Sequence, residues 1–224
     1  MPRVPVLATS PADEGYALLR IRLDWPLGPG QGLVLSDGRV LRPFRRGRDV
    51  MDFLLAPDDA LTQARSLTID AVPSTGVLPP ASAQTVLLLS SGAGIGPALY
   101  AGRCLPEGVR ALSLHDCSAG LPQRPQPSRL LTRSLPPEVI AALPWFEEAA
   151  VTNRLADPAA ERPGCYAGPV WKLAERWLAS NGSAVLWVWG YAGLIRHARW
   201  LARRYALNAL AFAGTRRDPI RLSA

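Results

Sequence analysis

Two short stretches of this chain carry residue types that could do chemistry. The first is Ser90-Ser91-Gly92-Ala93-Gly94-Ile95-Gly96-Pro97, which follows the apolar run Gln84 to Ser90 (QTVLLLS) and opens a second apolar run at 97 to 105. Glycines at such a point let the backbone turn tightly and approach a pyrophosphate, while a first helical turn aims unpaired N–H groups and a partial positive charge at it. Pro97 suits that turn, where its missing N–H costs nothing. A Gly-rich strand-to-helix turn that binds no ligand has the same local sequence. The second stretch is Arg42-Pro43-Phe44, preceded by Pro29-Gly30-Gln31. A guanidinium at a strand end pairs with phosphate, and an aromatic two positions on leaves the strand from the same face and can stack on a flat ring. A surface Arg beside a core Phe gives the same pattern.

The elements that must position these residues change character along the chain. From 16 to 23 (YALLRIRL), Leu19, Ile21 and Leu23 alternate with Arg20 and Arg22, the signature of a half-buried strand. Short β-like runs follow at 32 to 35, 39 to 44, 51 to 55 and 66 to 70, separated by turn-rich segments. Close strands without helical periodicity predict a small antiparallel barrel or sandwich. Beyond residue 80 the pattern alternates. Strands are expected at 84 to 90, 109 to 114, 146 to 151, 184 to 189 and 209 to 213, and helices at 97 to 105, about 136 to 143, 168 to 179 and 192 to 205. Such alternation implies a parallel sheet covered on both faces. The expected fold is therefore two-domain: an N-terminal antiparallel β-barrel over 1–80, then a C-terminal α/β parallel-sheet, Rossmann-like domain over 81–224. They join near Pro79-Pro80. The Pro-, Ser- and Arg-rich stretch 118 to 137 reads as an exposed crossover loop.

Composition narrows the function classes. With 224 residues, 48% hydrophobic and 19% charged, the chain is neither disordered nor fibrous. Its net charge of +7 arises from 25 basic residues, all Arg except Lys172, against 18 acidic ones. That excess favours phosphate-bearing or acidic partners in general. Basic residues and aromatics do not interleave as in a nucleic-acid module, so no nucleic-acid partner is expected. Cys104, Cys117 and Cys165 are widely spaced, which argues against a disulfide scaffold, a zinc ribbon or an iron–sulfur site. No metal site is expected, and a reducing, cytoplasmic compartment fits. The N-terminus lacks a continuous apolar core of signal-peptide type. The 32 uncharged residues from Ala71 to Gly102 are long enough to span a bilayer, yet Pro73, Pro79, Pro80 and Pro97 break any continuous helix. They read as loop, buried strand and helix start, not as a transmembrane segment.

Taken in order, Pro-Gly-Gln, Arg-Pro-aromatic, the Gly-x-Gly-x-x-Pro turn and a late apolar strand ending in Gly resemble the ferredoxin–NADP reductase superfamily over nearly the whole chain. The resemblance implies a flavin, FAD or FMN, on the barrel through Arg42, Pro43 and Phe44, and NAD(P)H at Gly92, Gly94, Ile95, Gly96 and Pro97. Val185 to Gly190 resembles the family's late strand, with Gly190 leaving room for the nicotinamide and Trp189 standing where the family carries Cys. The stretch Trp189 to Arg204 with Phe212 to Arg217 is similar to siderophore-interacting ferric reductases. The front half and the turn look more like the electron-transfer subunit of dihydroorotate dehydrogenase. Arg45 replaces the family's Ser or Thr, and the Gly-x-x-Ser/Thr turn that holds the flavin pyrophosphate lacks a counterpart in 56 to 70. Arg45, Arg46 and Arg48 offer compensating phosphate contacts, or else a solvated or partner-docking strand end. Arg154 falls where family members place an Arg on the nucleotide phosphate.

The remaining candidates are weaker. His115 and Asp116 are neighbours on one strand and so face opposite ways, which disfavours a catalytic dyad. Arg196, Arg199 and Arg203 recur on one face of a predicted helix, a solvated face or a partner contact. Two functions are therefore expected. One is a flavin-dependent NAD(P)H oxidoreductase that passes electrons to a carrier protein, a partner subunit or a ferric acceptor. The other is a non-catalytic relative with a degenerate flavin site, acting in assembly or nucleotide sensing.

Overall fold

The computed structural model describes residues 2–71, 77, 79–80, 83–181, 184–213 and 219–222. Its first half is an antiparallel, barrel-like sheet of β1 (Arg3–Pro11), β2 (Ala17–Arg22), β3 (Leu33–Leu35), β4 (Val40–Leu41), β5 (Pro43–Arg46), β6 (Val50–Leu55) and β7 (Ser66–Ala71). The strand order is β4-β3-β7-β1-β2-β6-β5. The alternation in β2 is realised: Leu19 and Ile21 are fully buried among Leu33, Phe53, Leu67 and Ile69, while Arg20 and Arg22 face out. β1 had no counterpart among the expected strands. Its sequence RVPVLATSP contains prolines and is mostly exposed, so it shows no two-residue period.

The second half comprises β8 (Thr85–Ser91), α1 (Ile95–Arg103), β9 (Arg110–Asp116), the short pair β10 (Gln126–Pro127) and β11 (Ala141–Ala142), and α2 (Pro144–Glu148). It continues with β12 (Thr152–Asp157), β13 (Tyr166–Ala167), α3 (Val170–Asn181), β14 (Val185–Trp189), α4 (Ala192–Arg204), β15 (Asn208–Phe212) and β16 (Ile220–Arg221). The main sheet runs β13-β12-β9-β8-β14-β15-β16, parallel except for β16. β8 is central and covered on both faces, which is why it reads as an unbroken apolar run. α4 turns Leu194, Ala198, Leu201 and Ala202 to the sheet and leaves Arg196, Arg199 and Arg203 exposed.

Two expectations fail here. Residues 146 to 151 do not form a strand. Pro144 starts the short helix α2, Ala150 turns the chain at φ 55°, and the strand begins only at Thr152. Nor is there a helix over 136 to 143, because Pro136 and Pro137 lack amide donors and the amides of Ile140 and Ala141 both donate to the Gly164 carbonyl.

α1 lies between the two sheets. It has no polar face: every residue from Ile95 to Ala101 is buried, because barrel strand β5 covers one side and the parallel sheet the other. At Gly96 the approach is closest, since a Cβ there would stand 2.8 Å from Cβ of Leu54 and 3.4 Å from Cβ of Phe44. Gly96→Ala is therefore expected to destabilise the chain by about 1–3 kcal/mol. A urea unfolding midpoint equal to that of the parent would contradict this packing.

Candidate functional site

In a parallel sheet whose strand order reverses beside β8, the crevice lies beyond the carboxyl ends of the two strands that diverge there. Those strands are β8 and β14. Ser91 leads into Gly92, whose φ of 56° suits a residue without a side chain, and a single 3-10 turn, Gly92–Gly94, then feeds α1. The ends of the two strands press together. A Cβ on Gly94 would lie 2.6 Å from the Trp189 carbonyl oxygen, and one on Gly190 would lie 2.6 Å from Ser91 Oγ. Packing alone therefore demands two of the glycines singled out from the sequence.

A cleft of about 430 Å³ opens at this point between the two halves of the chain. The barrel contributes Val40, Leu41, Arg42, Leu54 and Leu55. The opposite wall is the Gly92–Gly94 turn with Pro97, Trp189, Gly190, Tyr191 and Phe212. Trp189 and Phe212 are register partners on adjacent parallel strands and stack at 4.6 Å with 9° between their planes. Arg42 crosses from the barrel to this pair: its Nη1 donates to the Ala213 carbonyl at 2.8 Å, and its guanidinium carbon stands 5.8 Å from the Phe212 ring centre. Burial pushes its pKa down to about 10, so it remains a cation at neutral pH. Tyr191 donates its hydroxyl to Asp116 Oδ2 at 3.0 Å. Burial, and then the Asp116 charge, push that phenol up to about 12, so it keeps its proton.

Of the residues singled out from the sequence, Arg42, Gly92, Gly94, Pro97 and Gly190 line the cleft. The others lie elsewhere. Phe44 is 2% exposed, sealed between α1 and Trp145, whose ring centre is 4.8 Å away. Its ring offers no open face for stacking. Pro43 is buried opposite Phe53, and Ile95 is a fully buried core residue. Arg45 donates to Asp52 at 2.8 Å, as does Arg20 through Nε at 2.7 Å. Desolvation opposes ionisation of Asp52, but the hydrogen bonds from Arg20 and Arg45 outweigh it and hold the carboxyl below its ordinary range. Arg154 is buried on β12 and gives its guanidinium to the carbonyls of Asn153 and Leu130, at 2.6 and 2.7 Å. Residues 214 to 217 of the tail likeness lie outside the described residues.

The segment after β6 answers the missing Gly-x-x-Ser/Thr turn. Asp59 caps the short 3-10 turn Ala60–Gln63 by accepting from the Leu61 amide at 2.9 Å, and it pairs with Arg39 at 2.9 Å. Asp59 and Arg39 both line the cleft, where they form an ion pair. The apolar walls with few polar groups suit a flat heteroaromatic ring.

His115 pairs with Ser90 and not with Asp116. It is fully buried, with Nδ1 2.7 Å from Ser90 Oγ and its ring against Phe146 at 4.4 Å. Neither Ser90 nor His115 reaches the cleft, so the pair is structural. Sequence reasoning missed the Trp189–Phe212 floor, Tyr191 and the Arg39–Asp59 pair. Among the described residues there is no group of three side chains placed to hold a metal, and no helix long and apolar enough to cross a membrane.

No family model matches the chain, and no curated protein matches its sequence. Solved structures do match its fold. An NADH-dependent reduced ferredoxin-NADP oxidoreductase studied for flavin-based electron bifurcation superposes with a TM-score of 0.61 at 14% identity, over 94% of this chain and 76% of that one. The ferredoxin reductase of carbazole 1,9a-dioxygenase, in an FAD apo form, gives 0.64 at 13% over 94% and 66%. A cytochrome P450 reductase from Amycolatopsis gives 0.63 at 16% over 96% and 71%. This chain thus spans between 66% and 76% of the length of these proteins, and it shares their two-domain fold.

Burial pushes the His115 imidazole down to about 3. The unfolded chain takes up that proton near pH 6.5 and the folded chain does not, so stability falls as pH drops below about 6.5. The slope approaches about 1.4 kcal/mol per pH unit. Urea midpoints measured between pH 7 and pH 5 should show this decline, and His115→Gln should flatten it. An equal slope in both proteins would refute the assignment.

Proposed function

We propose that this chain, built on the ferredoxin reductase fold, is an NAD(P)H-linked electron-transfer oxidoreductase whose cleft holds a flavin ring next to the nicotinamide. The proposed division is a flavin-binding-like domain over 1–80 and an NAD(P)-binding-like domain over 81–224. The observation that carries the reading is the position of the cleft. It lies at the carboxyl ends of β8 and β14, with one wall from each half of the chain. When bound, a flavin supplies two-electron uptake from reduced nicotinamide and delivery to an acceptor.

The protein's own residues do the rest. The amides of the Gly92–Gly94 turn and the first turn of α1 receive a nucleotide phosphate. Val40, Leu41, Leu54 and Leu55 face Trp189 and Phe212 across the cleft and exclude water from a flat ring. Arg42 holds the walls together through Ala213, and Tyr191 offers an edge hydroxyl fixed by Asp116. The flavin contacts therefore differ from those implied by the motif: Phe44 belongs to the seam between the halves, and the stacked Trp189 and Phe212, as buried as Phe44, back the cleft from beneath. The acceptor is proposed to be a carrier protein, a partner subunit or a ferric compound.

A second reading is favoured by specific contacts. Phe44 is sealed, Arg45 is committed to Asp52, and Asp59 presents a carboxylate. These support a non-catalytic relative that binds nucleotide without flavin. Quenching of flavin fluorescence separates the two. The oxidoreductase reading expects saturable binding of FMN or FAD, together with NADH or NADPH oxidation using ferricyanide. Nucleotide binding without flavin binding or turnover would select the relative. Ala93→Asp, which sets an anion at the turn, should weaken NAD(P)H binding roughly tenfold and leave FMN binding unchanged. Unaltered nucleotide affinity would place the nucleotide elsewhere.

A further inference from the structure

Two of the three cysteines meet in space at a place that neither the cleft nor the sheet requires. Cys117 follows Asp116 at the carboxyl end of β9, and Cys165 precedes Tyr166 at the start of β13. Asp116 and Tyr166 are register partners of one residue, Ala156, on the intervening strand β12. The Cys117 amide donates to the Ala156 carbonyl at 2.9 Å. The turn carrying Cys165 folds back over the end of β12, with the Arg162 amide on Asp157 Oδ2 at 2.9 Å and the Cys165 amide on the Arg162 carbonyl at 3.3 Å. Cys117 belongs to the hydrophobic cluster that forms the seam and Cys165 packs against it; both are free thiols, and their side chains lie within hydrogen-bonding reach of each other. Cys104 packs against the separate barrel cluster.

We propose that Cys117 and Cys165 are a redox-active thiol pair that closes to a reversible disulfide and thereby pins the crossover loop beside the cleft. Cys165 is the partly exposed member and Cys117 is 3% exposed, so the roles differ. The Cys165 thiolate, formed beside the Arg162 guanidinium, attacks one sulfur of a low-molecular-weight disulfide and releases one thiol. Cys117 then loses its proton and attacks the Cys165 sulfur of that mixed disulfide, releasing the second thiol. Two protein thiols and one small disulfide thus give one protein disulfide and two small thiols. A dithiol reverses the step.

The consequence reaches the cleft through the stretch that follows Cys117. Ala119, two positions after Cys117, lines the cleft, and its carbonyl accepts from the Tyr16 hydroxyl at 2.7 Å. The same stretch is held by Glu14, which accepts from the Leu121 amide at 2.9 Å and from Arg162 at 2.7 Å. Oxidation would fix this connection covalently and raise the thermal unfolding midpoint.

The test uses the purified full chain and does not depend on flavin or nucleotide binding. Oxidised with glutathione disulfide, then denatured and alkylated, it should retain one alkylatable thiol, Cys104, out of the three. Peptide mapping should join the Cys117 and Cys165 peptides, and dithiothreitol should restore all three thiols. In Cys117→Ser, glutathione should remain attached to Cys165. Three alkylated thiols after oxidation, a stable glutathione adduct without a cross-link in the parent chain, or a cross-link that includes Cys104 would each overturn the proposal.

Discussion

The rest of the structure depends on the seam where the barrel is pressed onto α1 and the strand ends β14 and β15. Among the contacts that hold it are Leu54 and Phe44 against the bare backbone at Gly96, Phe44 against Trp145, and Arg42 reaching the Ala213 carbonyl beside the stacked Trp189 and Phe212. The Arg42 contact is a charge-assisted hydrogen bond in a desolvated place, where such a bond is stronger than at the surface. Because the seam is apolar and close-packed, the two halves meet in one arrangement, and the cleft is the gap left at its rim.

That arrangement explains the chemistry of the cleft. Its walls are the edges of the same residues that seal the seam, so they are mostly apolar, with polar groups at Ser91 and the glycine turn, Arg42, Tyr191 and the Arg39–Asp59 pair. A helix N-terminus faces it from one side and a carboxylate from the other. The first favours an anion, and the second is balanced by Arg39 on the same wall.

Much of this was legible in the sequence wherever one side chain reports one environment. The alternation of Leu19 and Ile21 with Arg20 and Arg22, the unbroken apolar run of β8 and the glycines before α1 each have a single structural solution. Gly94 and Gly190 were read as ligand contacts, whereas the structure also requires them for packing between neighbouring strand ends. The direction of Phe44 was not legible. Strand periodicity places it on the same side as Arg42, but only the docking of α1 decides that Arg42 borders the cleft while Phe44 is sealed. The Trp189–Phe212 floor was half visible, since both residues end apolar strands, but their pairing needs the register of β14 on β15. The shift from an expected strand at 146 to 151 to a helix turned on Pro144 marks where local preference overrode the hydrophobic pattern.

The central claim is that a flat ring occupies the cleft between Leu54 and Trp189. A crystal structure grown with saturating FMN tests it most directly. Ring density is expected between the Val40–Leu41–Leu54 wall and the Trp189 side of the cleft. Density for the ring on the outer surface of the barrel, or an empty cleft at full saturation, would contradict it.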